Sequence, residues 1–188
     1  RRLKIVDINS EFLKVKSQLP TFPDFKKKNL TMAILVAKIC GLKEHLIYGK
    51  IKKINDVNGR LELVKKLPNK GKVFLDYAHT PDALLKTLET LKDIYKKDIS
   101  IVFGCGGDRD KKKRPLMAKI ANKYCSKVYI TDDNPRNEDP QKIRKELLKF
   151  ISREKSFNIG NRSNAIKESI KMANPGEIIL VAGKGHEE

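Results

Sequence analysis

VFLDYAHTPDALLKTLETLKDIYKKDISIVFG, residues 73–104, holds two apolar runs separated by one amphipathic stretch. Val73 to Asp76 is short and apolar, as a buried strand is. Thr80-Pro81-Asp82 then supplies an N-cap, a first-turn proline and a first-turn acid, which together open a helix. Leu84, Leu85, Leu88, Leu91 and Tyr95 fall on one face of that helix. Ser100 to Gly104 is the next strand. A strand, a covering helix and a second strand of this kind form a βαβ unit, the building block of a parallel sheet.

The pattern continues towards the C-terminus. A helix carries Leu116, Met117, Ile120 and Tyr124, and Lys127 to Thr131 is a strand. Asp139-Pro140 starts a helix with Ile143, Leu147, Leu148 and Ile151. Ser156 to Ile159 is a strand. Ser163 caps a helix with Ala165, Ile166, Ile170 and Ala173, which Asn174-Pro175-Gly176 ends, and Ile178 to Ala182 is the last strand. Upstream the order is different. Leu3 to Val15 reads as a β-hairpin turning at Asn9-Ser10, and Asn29 opens a helix that runs to Cys40 and stops at Gly41. Asn55 to Gly59 is turn chemistry, Leu61 to Val64 a short strand, and Pro68-Asn69-Lys70-Gly71 a linker that divides the chain into segments 1–67 and 68–188.

Composition narrows the function classes. Lys and Arg number 41 against 23 Asp and Glu, a net charge of +18. Such an excess suits a polyanionic or phosphorylated partner, or simply a solvated lysine-rich surface. The basic residues are interspersed with acids and aromatics make up only 6%, so the stacking platforms of a single-strand nucleic-acid binder are missing. The three cysteines, Cys40, Cys105 and Cys125, form no disulfide framework and no CxxC pair, which suggests reduced thiols in a cytoplasmic protein without zinc. The longest apolar runs are too short to span a membrane.

Four polar segments each follow a strand directly: Asp76 to His79, Gly104 to Arg109, Thr131 to Arg136 and Gly183 to Glu187. In a parallel sheet they share one edge, where ligands bind. Gly104-Cys105-Gly106-Gly107-Asp108-Arg109 is glycine-rich but breaks the dinucleotide fingerprint, because the third glycine would fall on Arg109. Its glycines serve either a phosphate or close packing. Lys111-Lys112-Lys113-Arg114 stands at the amino end of the next helix, where the macrodipole disfavours cations, and this favours an anion nearby. In Thr131-Asp132-Asp133-Asn134-Pro135-Arg136, Pro135 stiffens the loop. Arg136 suits a carboxylate and Asp133 an ammonium, as the end group of an amino acid requires. Glu187 adds a second partner for an ammonium. His79 and His186 have no paired serine or cysteine nucleophile.

Together, DYAHTPDAL (76–84), FGCGGDRDKKKRPLM (103–117), TDDNPR (131–136) and AGKGHE (182–187) resemble the Mur ligases, most closely their MurE-type, diamino-acid-adding branch. The resemblance covers Asn29 to Glu188 and weakens before it, where Phe22-Pro23-Asp24-Phe25 departs from the family's pattern. It implies a Rossmann-like, mainly parallel α/β sheet with helices on both faces, the amino-acid-binding domain of residues 68–188. Residues 1–67 would be the remnant of a central ATPase domain. It implies an enzyme that forms an amide bond through an acyl phosphate, using ATP and Mg²⁺, and adds meso-diaminopimelate to UDP-MurNAc-L-Ala-D-Glu in peptidoglycan synthesis. By motif match, Asn29, Arg60, Asp76, Tyr77 and His79 bind ATP. Arg109, Asp133, Asn134, Arg136, Gly183 and Glu187 bind diaminopimelate, its distal carboxylate meeting Arg109, Asn134 and Arg136.

The same resemblance implies a cytoplasmic monomer with no nucleic-acid or membrane partner. The phosphate-binding loop, the magnesium ligands and the UDP-sugar domain lie outside this sequence, so the isolated chain is expected to be inactive. A buried Arg136 left without its carboxylate would cost roughly 3–5 kcal/mol, which would reject lysine. The alternatives are an L-lysine-adding or folylpolyglutamate-type ligase, and a basic nucleic-acid-binding domain.

Overall fold

Residues 5–19, 23–51, 53, 54 and 57–184 are described by the structure, a computed structural model. The chain divides into two compact units, 1–55 and 56–188. The first is helical: α1 (Ile8–Val15), α2 (Asp24–Ile39) and α3 (Glu44–Ile51). The hairpin expected around Asn9-Ser10 is instead the first turn of α1. Asp7 caps it, its carboxylate accepting from the amides of Asn9 (3.0 Å) and Ser10 (3.3 Å), so the polar pair that resembles a turn serves a helix start. Leu3 lies outside the described residues. Helical spacing then puts Phe12 and Val15 against Leu19, Leu30, Ile34, Ile47, Tyr48 and Ile51. Helix α2 begins at Asp24, before Asn29, and ends as expected at Gly41, whose φ of 85° is the left-handed stop.

The second unit is built on a six-stranded sheet. Strands β1 (Glu62–Lys66), β2 (Lys72–Asp76), β3 (Ile99–Phe103), β4 (Lys127–Ile130), β5 (Ser156–Asn158) and β6 (Ile178–Ala182) lie in the order β1-β2-β6-β3-β4-β5. Only β1 is antiparallel to its neighbour. The apolar runs ISIVF and IILVA are buried at every position because they occupy the centre, covered from both sides. Residues 68–71 are not a linker. They close the β1–β2 hairpin, with the Leu67 amide on the Gly71 carbonyl (2.8 Å), so the break in packing falls at 55/56. Asn55, the start of the expected turn, lies outside the described residues.

Helices α4 (Pro81–Tyr95), α5 (Lys113–Tyr124) and α6 (Pro140–Leu148) connect β2 to β3, β3 to β4 and β4 to β5, and pack side by side. Helix α7 (Arg162–Lys171) returns from β5 to β6 in the opposite direction across the sheet. Right-handed crossovers therefore place it on the other face. There Ala165, Ile166 and Ile170 pack on Val73, Val102, Tyr129, Ile179 and Val181, the alternate side chains of their strands. Thr80 and Asp139 cap α4 and α6 as the sequence predicts. Helix α7 is capped by Asn161 rather than Ser163, its side-chain oxygen accepting from the Asn164 amide at 2.9 Å. Leu116 is exposed; the inward face of α5 is Arg114, Met117, Ala118 and Ala121.

Candidate functional site

The carboxyl ends of β2, β6, β3 and β4 are level. Gly183 N donates to the Asp76 carbonyl and Thr131 N to the Phe103 carbonyl, each at 3.0 Å. The loops that leave these ends surround a cleft of about 550 Å³, bounded by Tyr77, His79, Arg109, Lys113, Asn134 and Arg136, with Asp133 and Gly183 also on its wall. Seven of the expected site residues thus meet in one place. Glu187 and His186 lie outside the described residues.

The glycines of the β3 loop serve close packing. A Cβ on Gly107 would stand 1.8 Å from the Pro135 carbonyl oxygen, and one on Gly104 2.3 Å from that of Thr131. Neither glycine has a positive φ among those of the described residues. The two loops can therefore lie backbone to backbone, with Gly107 N donating to the Asn134 carbonyl at 2.9 Å. Arg136 bends back across this seam and donates to the Gly107 carbonyl at 2.6 Å. Its own φ is 49°, in the left-handed region, and its amide donates to Asn134 Oδ1 at 3.2 Å. Among the described residues Arg136 is exposed as a whole, with its Nη1 half-buried against the Gly107 carbonyl, rather than buried as expected.

Asp133 is also less available than expected. Its Oδ1 accepts from the Asn134 amide at 2.8 Å and lies 3.7 Å from Lys184 Nζ. Asp76 does not face the cleft. It is buried, and its carboxylate accepts from the amides of Leu61 (2.6 Å) and Ala78 (2.8 Å) and from the Thr87 hydroxyl (3.3 Å). It thereby ties the segment around Arg60 to the end of β2. Above it, the Arg60 guanidinium lies 4.4 Å from the centre of the Tyr77 ring, and the His79 ring lies 4.7 Å from that of Tyr77. A cation stacked on an aromatic at a cleft edge suits a flat heterocycle such as a purine. Asn29 is an exposed residue midway along α2, in the helical unit.

Sequence reasoning missed two kinds of residue. Lys113 and Thr80 line the cleft, Lys113 Nζ donating to the His79 carbonyl at 2.9 Å. The basic run is therefore split, because Lys113 faces the site while Arg114 points into the protein. Arg114 is 2% exposed and bonds Glu138 and Glu146. A signal for it exists, since residues 114, 117, 118 and 121 have the spacing of one buried helical face. Glu138 is held down to about 2, chiefly by Arg114, then by the Asp108 amide.

A family model for the glutamate ligase domain of Mur ligases matches residues 59–185. The chain belongs to the Mur ligase family. The part matched to this Mur ligase domain takes in the entire sheet and every cleft residue named above. The chain is 44% identical over 170 residues to UDP-N-acetylmuramoyl-L-alanyl-D-glutamate–2,6-diaminopimelate ligase of Rickettsia conorii, covering 89% of this chain and 35% of that protein. It is 36% identical over 188 residues to the ligase of the same name from Agrobacterium fabrum, covering 100% and 38%. A solved structure of a ligase of that name superimposes with a TM-score of 0.65 at 37% identity, over 90% of this chain and 35% of that one. The chain thus spans about a third of the length of the curated relatives it matches. Among the described residues, no helix is long and apolar enough to cross a membrane.

Proposed function

We propose that this chain is the C-terminal part of a ligase that joins meso-diaminopimelate to UDP-MurNAc-L-Ala-D-Glu in cytoplasmic peptidoglycan precursor synthesis. In this reading the helical unit is the tail of the ATP-binding domain, and the sheet unit is the amino-acid domain. The observation that carries it is the meeting of Arg109, Asn134 and Arg136 in one cleft, beside the exposed carboxyl ends of the strands. Two guanidiniums are donors only, and the Asn134 carboxamide adds its NH₂ while its oxygen accepts from the Arg136 amide, a set that suits a carboxylate on an amino-acid side chain. Asp133 and Gly183, with Glu187, supply the acceptors for the neighbouring ammonium.

The names of the relatives support the same substrate. ATP would bind on the side of the cleft lined by Tyr77 and His79, with Arg60 stacked on the Tyr77 ring beside it, and these residues would hold the base. It supplies the phosphoryl group that activates the acceptor carboxylate for attack by the incoming amine. Lys113, on the cleft wall with its Nζ on the His79 carbonyl, contributes positive charge near a phosphorylated substrate. Among the described residues no group of three or more His, Cys, Asp or Glu side chains could hold a metal ion. By the family resemblance the magnesium ligands would lie in the part of the ligase outside this sequence, where the ion would help to neutralise the phosphates of ATP.

The test is phosphate release by the whole ligase with UDP-MurNAc-dipeptide and ATP, comparing meso-diaminopimelate with L-lysine. Turnover with diaminopimelate at least about a hundredfold above that with lysine is expected, as for a site built to bond a group the rival lacks. Equal turnover would overturn the reading.

A further inference from the structure

The two loops that bear Arg109 and Arg136 are joined from below by a side-chain network with no part in the cleft wall. Arg114, almost wholly buried at the start of α5, donates through Nη2 to the Gly106 carbonyl (3.2 Å) and Glu138 Oε1 (2.9 Å). Through Nη1 it donates to Glu138 Oε2 (3.2 Å) and Glu146 Oε2 (2.8 Å). Glu138 in turn accepts from the Asp108 amide at 2.7 Å. Asp108 completes the circuit, its Oδ2 accepting from the Asn137 amide (3.1 Å) and side chain (2.9 Å). Every one of these bonds except those to Glu146 and to the Gly106 carbonyl links the β3 loop or the start of α5 to the loop after β4.

The backbone shows what the network holds. Asp108 and Arg136 have φ of 48° and 49°, values that side chains other than glycine rarely adopt. Such conformations persist where the surroundings over-determine them. One of these residues is a cleft guanidinium, and the other immediately precedes one, Arg109. A change in either backbone would re-aim a charged group whose use depends on its direction.

We propose that Arg114 and Glu138 are a positioning pair that fixes the spacing of the two arginine-bearing loops, and with it the preference for a diamino acid carrying a second carboxylate. This rests on the reading of the cleft given above. Neither residue touches the substrate; both act through Arg109, Asn134 and Arg136. Arg136 can discriminate only when its guanidinium is aimed at the second carboxylate, and aim is what the pair supplies.

The experiment is steady-state kinetics of the whole ligase carrying Glu138→Gln, Asp108→Gly or Arg136→Ala. Glu138→Gln keeps the shape but removes the charge that gathers Arg114 and the Asp108 amide. It is expected to raise KM for meso-diaminopimelate roughly tenfold, and to lower the preference over L-lysine, with KM for ATP within about twofold of wild type. Asp108→Gly tolerates the positive φ at an exposed position and deletes only the bonds from Asn137. It should shift the same two quantities by roughly threefold, and it decides the matter should Glu138→Gln fail to fold. A merely structural pair would lower the melting temperature and leave the KM values and the preference unchanged, which overturns the proposal. Arg136→Ala separates the two failures. If it raises KM for diaminopimelate while the other variants do not, the positioning pair is wrong and the reading of the cleft stands. If Arg136→Ala itself leaves that KM unchanged, the reading of the cleft is wrong and the pair falls with it.

Discussion

Glu177 shows how much one side chain holds at the edge of the sheet away from the cleft. It is fully buried just before β6, accepting from the Ser100 hydroxyl, from Lys127 Nζ (2.9 Å) and from the Asn174 amide (2.6 Å). Burial opposes its ionisation, but those three donors outweigh it and hold the carboxyl below its ordinary value of 4.5. A carboxyl depressed in the folded state adds stability that is present above the unfolded value and is lost as pH falls through the folded one. Thermal stability of the protein should therefore decline on acidification below about pH 4.5. Glu177→Ala should cost about 3 kcal/mol at neutral pH, by leaving Lys127 and Ser100 without their shared acceptor. Denaturant titration of the variant at neutral and acid pH checks both, since the difference from wild type must shrink in acid.

At the scale of elements, the loop after β3 was only half legible. Its glycines could have cradled a phosphate or allowed close packing, and spacing cannot separate these because both ask for the same absent Cβ. The contact of Gly107 with Pro135, one helix and one strand further along the chain, decides it. Gly107→Ala should accordingly cost about 3 kcal/mol by overpacking, and should disturb the seam that carries Arg136. Amide shifts in that variant, spread over both loops but absent from α7, would match this account. Shifts confined to residue 107 and its chain neighbours would contradict it. The βαβ repeats, by contrast, were readable apart from the inward face of α5 and the cap of α7, because continuous apolar strands and capped amphipathic helices are local signals. The start of the chain was misread for the same reason. Asn9-Ser10 has equal use in a hairpin turn and in the first turn of a helix, and only the packing of Phe12 into the helical core distinguishes them.

At the scale of the molecule, the boundary expected at the Pro68 turn fell elsewhere, because a hairpin turn and a linker share a composition. Strand β1 contributes an edge to the sheet, and Asn69 fastens the hairpin to the far end of the chain by bonds with the Ala173 carbonyl and the Gly176 amide, both 2.9 Å. Such long-range bonds belong within one folding unit. The two units also draw on separate sets of buried side chains: Phe12, Leu19, Ile34 and Ile51 in one, and the faces of a six-stranded sheet in the other. Among the described residues the helical unit buries few apolar side chains, fewer than a stable core needs, whereas a sheet covered on both faces reaches it. Residues 57–188 expressed alone should therefore unfold in a single cooperative thermal transition with the circular dichroism of an α/β protein. Residues 1–55 alone should show none. If a chain cut at residue 68 instead melted as sharply as one cut at residue 57, β1 would be dispensable and the boundary drawn at the hairpin would be the better one.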